Sequence, residues 1–431
     1  MMEEMRMKEI LLPYGRTRMP IHVPEKNLAA VIAPPEAPAD DRPEEQIVRD
    51  ALARPVMSAP LCELARGKKR ITVITSDHTR PVPSAITMPI LLEELRRGQS
   101  DAEITILVAT GMHRPTTGAE LTARFGEDIA RRERIKVHNA FDMADMVFLG
   151  TLPSGGELWL DSLVDRTDLL IAEGFIEPHF FAGFSGGRKA VLPGIASEKT
   201  VRYNHNAGFI DSPFARQGIL EGNPIHKDML YAAEKAGLAF ILNVIIDDRK
   251  RIIAAVAGDP VRAHEAGCAL SLERTAVRPV TADIAVTTNG GYPLDQNVYQ
   301  SVKGMTAAEA CVKQGGVIIM CAGAADGSGG ESFYHWFSDR PGAKEVLEDI
   351  RRIPASETLP DQWEAQILAR IQEKARVIFV TGNENRRLIE DMHMQWAPDA
   401  DSALKAAFAL TSPDAAVTVI PDGVGVVVTD R

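Results

Sequence analysis

From residue 69 onward the chain alternates short apolar, β-branched runs with stretches whose apolar residues recur every three or four positions. RITVITSD and AEITILVATG are the clearest runs, and an amphipathic stretch follows each of them. Such alternation predicts parallel βαβ units, in which ligand-binding residues collect beyond the carboxyl ends of the strands. Strands are predicted at 71–76, 104–109, 169–172, 239–246 and 283–288. Upstream, strands at 9–14 and 28–33 precede a loop, PPEAPADDRP, and a helix from about Glu44 to just before Pro55. Downstream, VKQGGVIIMCAG and ARVIFVTGN read as strands that follow helices, so the distal part is α/β as well.

A helical stretch followed by RPVTAD, over 263–277, is the expected hinge. The 431 residues exceed the usual domain size of about 100–200 residues. The expected fold is therefore two α/β domains, 1–275 and 290–405, with the active site in the interdomain cleft. The last predicted strand, AAVTVIPDG in the tail 406–431, is expected to return to the first domain.

Hydrophobic residues at 45% and charged residues at 25% match a globular chain, and the net charge of −11 disfavours nucleic acid and anionic membranes as partners. The start, MMEEMRMKEILLPYG, lacks an apolar core of signal-peptide length, and no stretch is long and apolar enough to span a bilayer, so a cytoplasmic location is expected. Cys62, Cys268, Cys311 and Cys321 lie far apart, which signals neither a disulfide framework nor a thiolate zinc site.

The polar residues with chemical potential directly follow the strands. Asp77-His78-Thr79-Arg80 closes the first run, Thr110-Gly111-Met112-His113 the second, and a short third run leads to Glu177-Pro178-His179. A lone histidine is more often a hydrogen-bonded structural group. His78, His113, His179 and His205 on neighbouring loops together suggest proton transfer, metal binding or both. In EPHFFAGFSGGRKAVLPGIAS, glycines at 183, 186, 187 and 194 surround Ser185, Arg188 and Lys189. This density suits close backbone approach to a phosphate, or a tight turn with two solvated cations. GFSGGRKA is not a Walker A sequence, and a partly buried Lys189 is a candidate for covalent attachment to a cofactor. Gln300 and Lys303 share a helix face and, with Arg80 and Tyr299, suit a carboxylate ligand. The loop GAADGSGG, 323–330, lacks both phosphate-loop and dinucleotide signatures and reads as a turn with a possible lid role.

SDHTRP, ATGMHRPTT, EPHFFAGFSGGRKAVLPGIAS, NHNAG, GNPIHKDM and QNVYQSVKGM, in this order over 69–305, closely resemble the nickel-dependent lactate racemase family. The resemblance implies a racemase that interconverts D- and L-enantiomers of a small 2-hydroxy acid, with lactate the expected substrate. It implies proton-coupled hydride transfer through a 2-keto acid to a nickel-pincer nucleotide, a pyridinium-3-thioamide-5-thiocarboxylic acid mononucleotide. By resemblance the cofactor is tethered to Lys189, its nickel is completed by His205, and His113 and His179 are the acid/base pair. Arg80, Tyr299, Gln300 and Lys303 would hold the substrate, Asp77 would support the cofactor site, and Ser185, Gly186 and Gly187 would contact its phosphate. No role falls to His78. The domain 1–275 would then carry cofactor and histidines, and 290–405 the substrate clamp. Enzymes that synthesise the cofactor would be partners. The alternatives are a family racemase or epimerase acting on malate, an aromatic acid or a sugar acid, a zinc hydrolase using His113, His179 and His205, and a non-catalytic nickel- or nucleotide-binding protein.

Overall fold

A computed structural model describes residues 6–35, 42–247 and 249–429. Residues 36–41 of the expected PPEAPADDRP loop lie outside the described residues. The chain divides into two compact units. One comprises Ala37–His205 and Ser212–Glu273, the other Met1–Glu36, Asn206–Asp211 and Arg274–Arg431.

The first unit is built on a six-stranded sheet in the order Ile252–Gly258, Leu238–Ile246, Leu169–Phe175, Arg70–Ser76, Glu103–Ala109, Arg134–Val137. All pairings are parallel except that of the edge strand Ile252–Gly258. Arg70–Ser76 lies inside the sheet, and RITVITS reads as a nearly continuous apolar run because both its faces are covered. Helices Glu44–Ala53 and Ser84–Gly98 supply Val48, Leu91 and Leu95 to a core shared with Ile71, Val73, Ile106 and Phe240. Glu173, buried in the strand Leu169–Phe175, accepts hydrogen bonds from Thr75, Ser84 and Thr87, which fixes the start of helix Ser84–Gly98 against the sheet. Helix Gly118–Phe125 starts with a capping box in which Thr117 and Glu120 satisfy one another's backbone N–H groups.

The second unit carries a wholly parallel six-stranded sheet in the order Gln395–Ala397, Arg376–Val380, Val312–Cys321, Ala282–Thr288, Val417–Ile420, Leu28–Val31. Here the organisation departs from the expected 1–275 and 290–405 blocks. Leu28–Val31 pairs with Val417–Ile420, and Ile10, Leu12, Ile21 and Val23 of the hairpin Met7–Tyr14 and Thr17–Pro24 join the core of this unit. The tail does not return to the first unit. Val417–Ile420 is buried on both faces, and its pairing between Ala282–Thr288 and Leu28–Val31 satisfies both of its backbone edges. Among the described residues no helix is long and apolar enough to cross a membrane.

Because Val419 is fully buried in an internal strand, Val419→Asp places an uncompensated charge in the sheet. A loss of roughly 3–5 kcal/mol is expected in urea unfolding. A loss below about 1 kcal/mol, ordinary for a surface site, would contradict this placement of the tail.

Candidate active site

In-register pairing of Ser76 with Ala109 makes Asp77 and Thr110 leave the first sheet at the same level. Their loops therefore meet. The Asp77 carboxylate accepts from the Thr79 N–H at 3.1 Å, from the Thr79 hydroxyl at 2.6 Å and from His113 Nδ1 at 2.7 Å. Burial pushes the Asp77 carboxyl up, but the hydrogen bond and charge of His113, with Thr79 and Arg80, outweigh it and hold the group at about 2. Asp77, expected beside the cofactor, thus acts directly on His113. With Nδ1 donating to a carboxylate, Nε2 of neutral His113 is the free base. The His113 side chain is 45% exposed while that of Asp77 is 2% exposed, so the base is presented and its orienting group is sealed. Arg80 rests its guanidinium on the Thr79 hydroxyl at 3.0 Å. His78 lies apart from this pair, with Nδ1 3.2 Å from the Thr116 hydroxyl.

His179 sits on a two-residue hairpin, Pro178–His179 against Gly183–Phe184. Its Nδ1 accepts the Ala182 N–H at 3.2 Å, so neutral His179 carries its proton on Nε2, the complement of His113. The ring stacks on Phe180 and meets Phe181 edge-on, with centroids 5.0 and 4.6 Å apart. Phe181, which the sequence reading did not single out, also packs edge-on against His205 at 5.0 Å and lies 5.8 Å from Lys189 Nζ. One buried ring therefore fixes the spacing of three expected functional side chains. Its only signal in the sequence is its place in HFF, directly after His179.

Arg188 is 1% exposed rather than a solvated cation. Its guanidinium donates to the carbonyls of Ala182, Phe184 and Gly186, to His226 Nδ1 at 2.9 Å, and lies 3.1 Å from His264 Nε2. The loop is pulled inward around it. Ser185, Gly186 and Gly187, the expected phosphate contacts, take part in bonds and packing within the protein. The Ser185 hydroxyl bonds the Phe175 carbonyl and the Glu177 N–H, and the Gly187 N–H donates to Asn243. Gly187 has φ +52°, and a Cβ there would lie 2.7 Å from the His264 ring. The glycine is needed for packing against His264. Lys189 donates its N–H to the Gly186 carbonyl and accepts from the Gly194 N–H, and the Gly194 carbonyl in turn accepts from the Gly111 N–H. These bonds join the Lys189 turn to the His113 loop.

His205, 5% exposed at the end of helix Glu198–Asn204, has its imidazole pulled down to about 3 by burial and then by the charge of Lys189. It is neutral, the form in which imidazole ligates a metal. Among the described residues no three His, Cys, Asp or Glu side chains form a group able to hold a metal ion, and His113, His179 and His205 are not assembled as one. A metal at His205 would take its remaining donors from a bound group.

In the second unit, Asn297 caps the helix Val298–Cys311 by accepting the Gln300 N–H, and Lys303 Nζ donates to Gln300 Oε1 at 2.6 Å. Tyr299 accepts from Trp363 Nε1 at 3.1 Å and meets Phe333 edge-on. The 323–330 loop contributes the Gly327 and Ser328 carbonyls, which accept the Val298 and Tyr299 N–H groups, so it completes the start of this helix.

The models of the lactate racemase N-terminal and C-terminal domains match residues 14–218 and 277–428. The chain is 50% identical to a lactate racemase of Thermoanaerobacterium thermosaccharolyticum over 426 residues, 99% of this chain and 100% of that protein. It is 52% identical to a lactate racemase of Lactiplantibacillus plantarum over 423 residues, 98% of this chain and 100% of that protein. The lactate racemase apoprotein structure from T. thermosaccharolyticum superposes with a TM-score of 0.95, covering 98% of this chain and all of that one. A Thermotoga maritima protein shares the fold at a TM-score of 0.66 and 20% identity, covering 90% of this chain and 99% of that one.

Burial first, and the Arg188 charge second, lower His226 to about 3 and His264 well below its ordinary value. Both are neutral when folded and protonate when unfolded, so stability is full above about 6.5 and is lost as pH falls toward 3. The expected slope approaches about 1.4 kcal/mol per pH unit for each histidine below about pH 6, read by urea unfolding between pH 6 and 5. His264→Gln should flatten it. A slope unchanged in that variant contradicts the assignment.

Proposed function

Because the chain belongs to the lactate racemase family, we propose that it interconverts D- and L-lactate with a nickel-pincer nucleotide held by Lys189 and His205. The observation that carries this reading is the pair of complementary imidazoles. His113 offers an unprotonated Nε2 backed by Asp77, and His179 is oriented at its Nδ1 by the Ala182 N–H. The residues fit the group: Lys189 and the neutral His205 both lie against Phe181, and a single histidine ligand suits a metal whose other donors arrive with the nucleotide.

When bound, the nucleotide supplies a reversible hydride acceptor for C2 of the substrate, so that a planar 2-keto acid lies between the enantiomers. His113 Nε2 takes the hydroxyl proton of one enantiomer, and Asp77 stabilises the imidazolium that forms. His179 returns a proton to the oxygen from its imidazolium form when the opposite face is rebuilt, its Nδ1 then released from the Ala182 N–H, and is left neutral; the roles reverse in the other direction. Arg80, Gln300 and Lys303 are assigned to the substrate carboxylate, with Tyr299 beside them. The engaged polar groups of Ser185 and Gly187 support a scaffolding role rather than a phosphate contact. The expected setting is the cytoplasm, in keeping with four free cysteines, and enzymes that build the nucleotide are the expected partners.

Chiral analysis of L-lactate incubated with protein co-expressed with cofactor-synthesis enzymes and nickel tests the reading. D-lactate should accumulate to an equal share, and Lys189→Ala should abolish both activity and the mass added by the cofactor. His113→Ala and His179→Ala should each lower kcat by at least about 10²-fold with cofactor retained. Loaded protein that racemises malate or an aromatic acid but not lactate would move the substrate assignment. Loaded protein inert on a broad 2-hydroxy acid panel would end the racemase reading.

A further inference from the structure

Helix Gly118–Phe125 holds both loops that follow the strands Arg70–Ser76 and Glu103–Ala109, and it does so with two side chains one turn apart. Glu120 accepts a two-pronged bond from Arg114, directly after His113, at 2.9 and 2.6 Å, and the Thr117 N–H at 2.8 Å. Four residues on, Arg124 Nη1 donates to the Arg80 carbonyl at 3.0 Å. Among the described residues this is the one hydrogen bond that reaches the backbone of 78–82 from outside the segment 77–84. Pro81 has no N–H with which to tie the stretch further. Arg124 Nε and Nη2 are buried and have no hydrogen-bond partner among the described residues. Burial pulls the guanidinium down from the ordinary arginine value, against the charges of Glu173 and Asp77. A buried guanidinium with two unpaired N–H groups costs stability rather than adding to it.

Resting on the functional reading above, we propose that Arg124 is a positioning residue for the substrate carboxylate: it anchors the backbone of Arg80, whose guanidinium is assigned to that carboxylate, and does so at a cost in stability. The Arg80 side chain is fixed at its far end, where Nη1 donates to the Thr79 hydroxyl at 3.0 Å, and that hydroxyl donates to Asp77 at 2.6 Å. At its near end the carbonyl is held by Arg124. An arginine held at both ends presents one fork to a ligand instead of a family of rotamers, the geometric condition for a firm grip on a carboxylate. Because Glu120 and Arg124 belong to one short helix, that helix sets the spacing between the His113 loop and the Arg80 loop. The sequence alone does not mark Arg124: in GAELTARF it looks like any solvated arginine of a last helical turn.

The test is Arg124→Met, which keeps an unbranched stem and removes the donors, with Arg124→Lys as the variant that retains a cationic donor. In holoenzyme, Arg124→Met should raise KM for lactate about tenfold with kcat changed less than about threefold, and Arg124→Lys should stay nearer the wild type. In an Arg80→Ala background the Arg124→Met change should add nothing further to KM. Two readouts need no catalysis. The urea midpoint of Arg124→Met should equal or exceed that of the wild type, where a residue that only holds the fold together would lower it. Hydrogen exchange read by mass spectrometry should quicken several-fold in a peptide covering 77–84 and stay unchanged in one covering the strand Glu103–Ala109. A lowered urea midpoint, an unchanged or lowered KM, or unchanged exchange over 77–84 overturns the proposal. The unfolding and exchange results stand whether or not lactate is the substrate, so failure of the Arg124 assignment and failure of the racemase reading are told apart.

Discussion

The Arg188 guanidinium is the constraint on which the histidine-bearing face of the first unit depends. Buried, and lowered only to about 10 by that burial, it stays charged at neutral pH and must be solvated by the protein itself. The carbonyls of Ala182, Phe184 and Gly186 and the imidazoles of His226 and His264 provide that solvation. Satisfying the cation folds the 182–188 segment around it. The fold of that segment holds His179 and Lys189 against the same ring, Phe181. An ordinary glycine-rich turn would leave these groups to thermal motion. A turn closed on a buried cation does not, because every carbonyl that let go would leave charge unsolvated.

That rigidity gives the histidine pair its meaning. His113 is fixed through its Nδ1 by Asp77, a carboxylate held ionised, and His179 through its Nδ1 by a backbone N–H. The two supports differ in kind, acceptor against donor, and they place the proton of the neutral ring on opposite nitrogens, Nδ1 in His113 and Nε2 in His179. An enzyme that must run equally well from either enantiomer needs one group to accept and one to give; each turnover exchanges their protonation, and a turnover in the opposite direction or proton exchange with solvent restores it.

Much of this was legible in the sequence because it rests on local pattern. β-branched runs ending abruptly in Asp77 and Thr110 marked the strand ends, and the three-residue spacing of Gln300 and Lys303 put them on one helix face, where the structure finds them bonded. Strand order was not legible. The hairpin at the amino end and Val417–Ile420 at the other join one sheet through pairings that no alternation encodes. At the glycines 186 and 187 sequence does not separate a phosphate contact from internal packing, because close approach to a ligand and close approach to Asn243 and His264 demand the same residue. Arg188 and Arg124 escaped for a common reason: arginine is a charged type that sequence reading places at the surface, and here both guanidinium groups are withdrawn from solvent.

The central claim is that the two imidazoles move protons at the substrate oxygen while the hydrogen on C2 never equilibrates with water. Racemisation of L-lactate in D2O, with the D-lactate product analysed by proton NMR and mass spectrometry, reads this directly. The account predicts that D-lactate formed in D2O keeps protium at C2 through many turnovers. Deuterium from solvent at C2 of the product would mean that a histidine abstracts the proton from carbon, and would contradict the account.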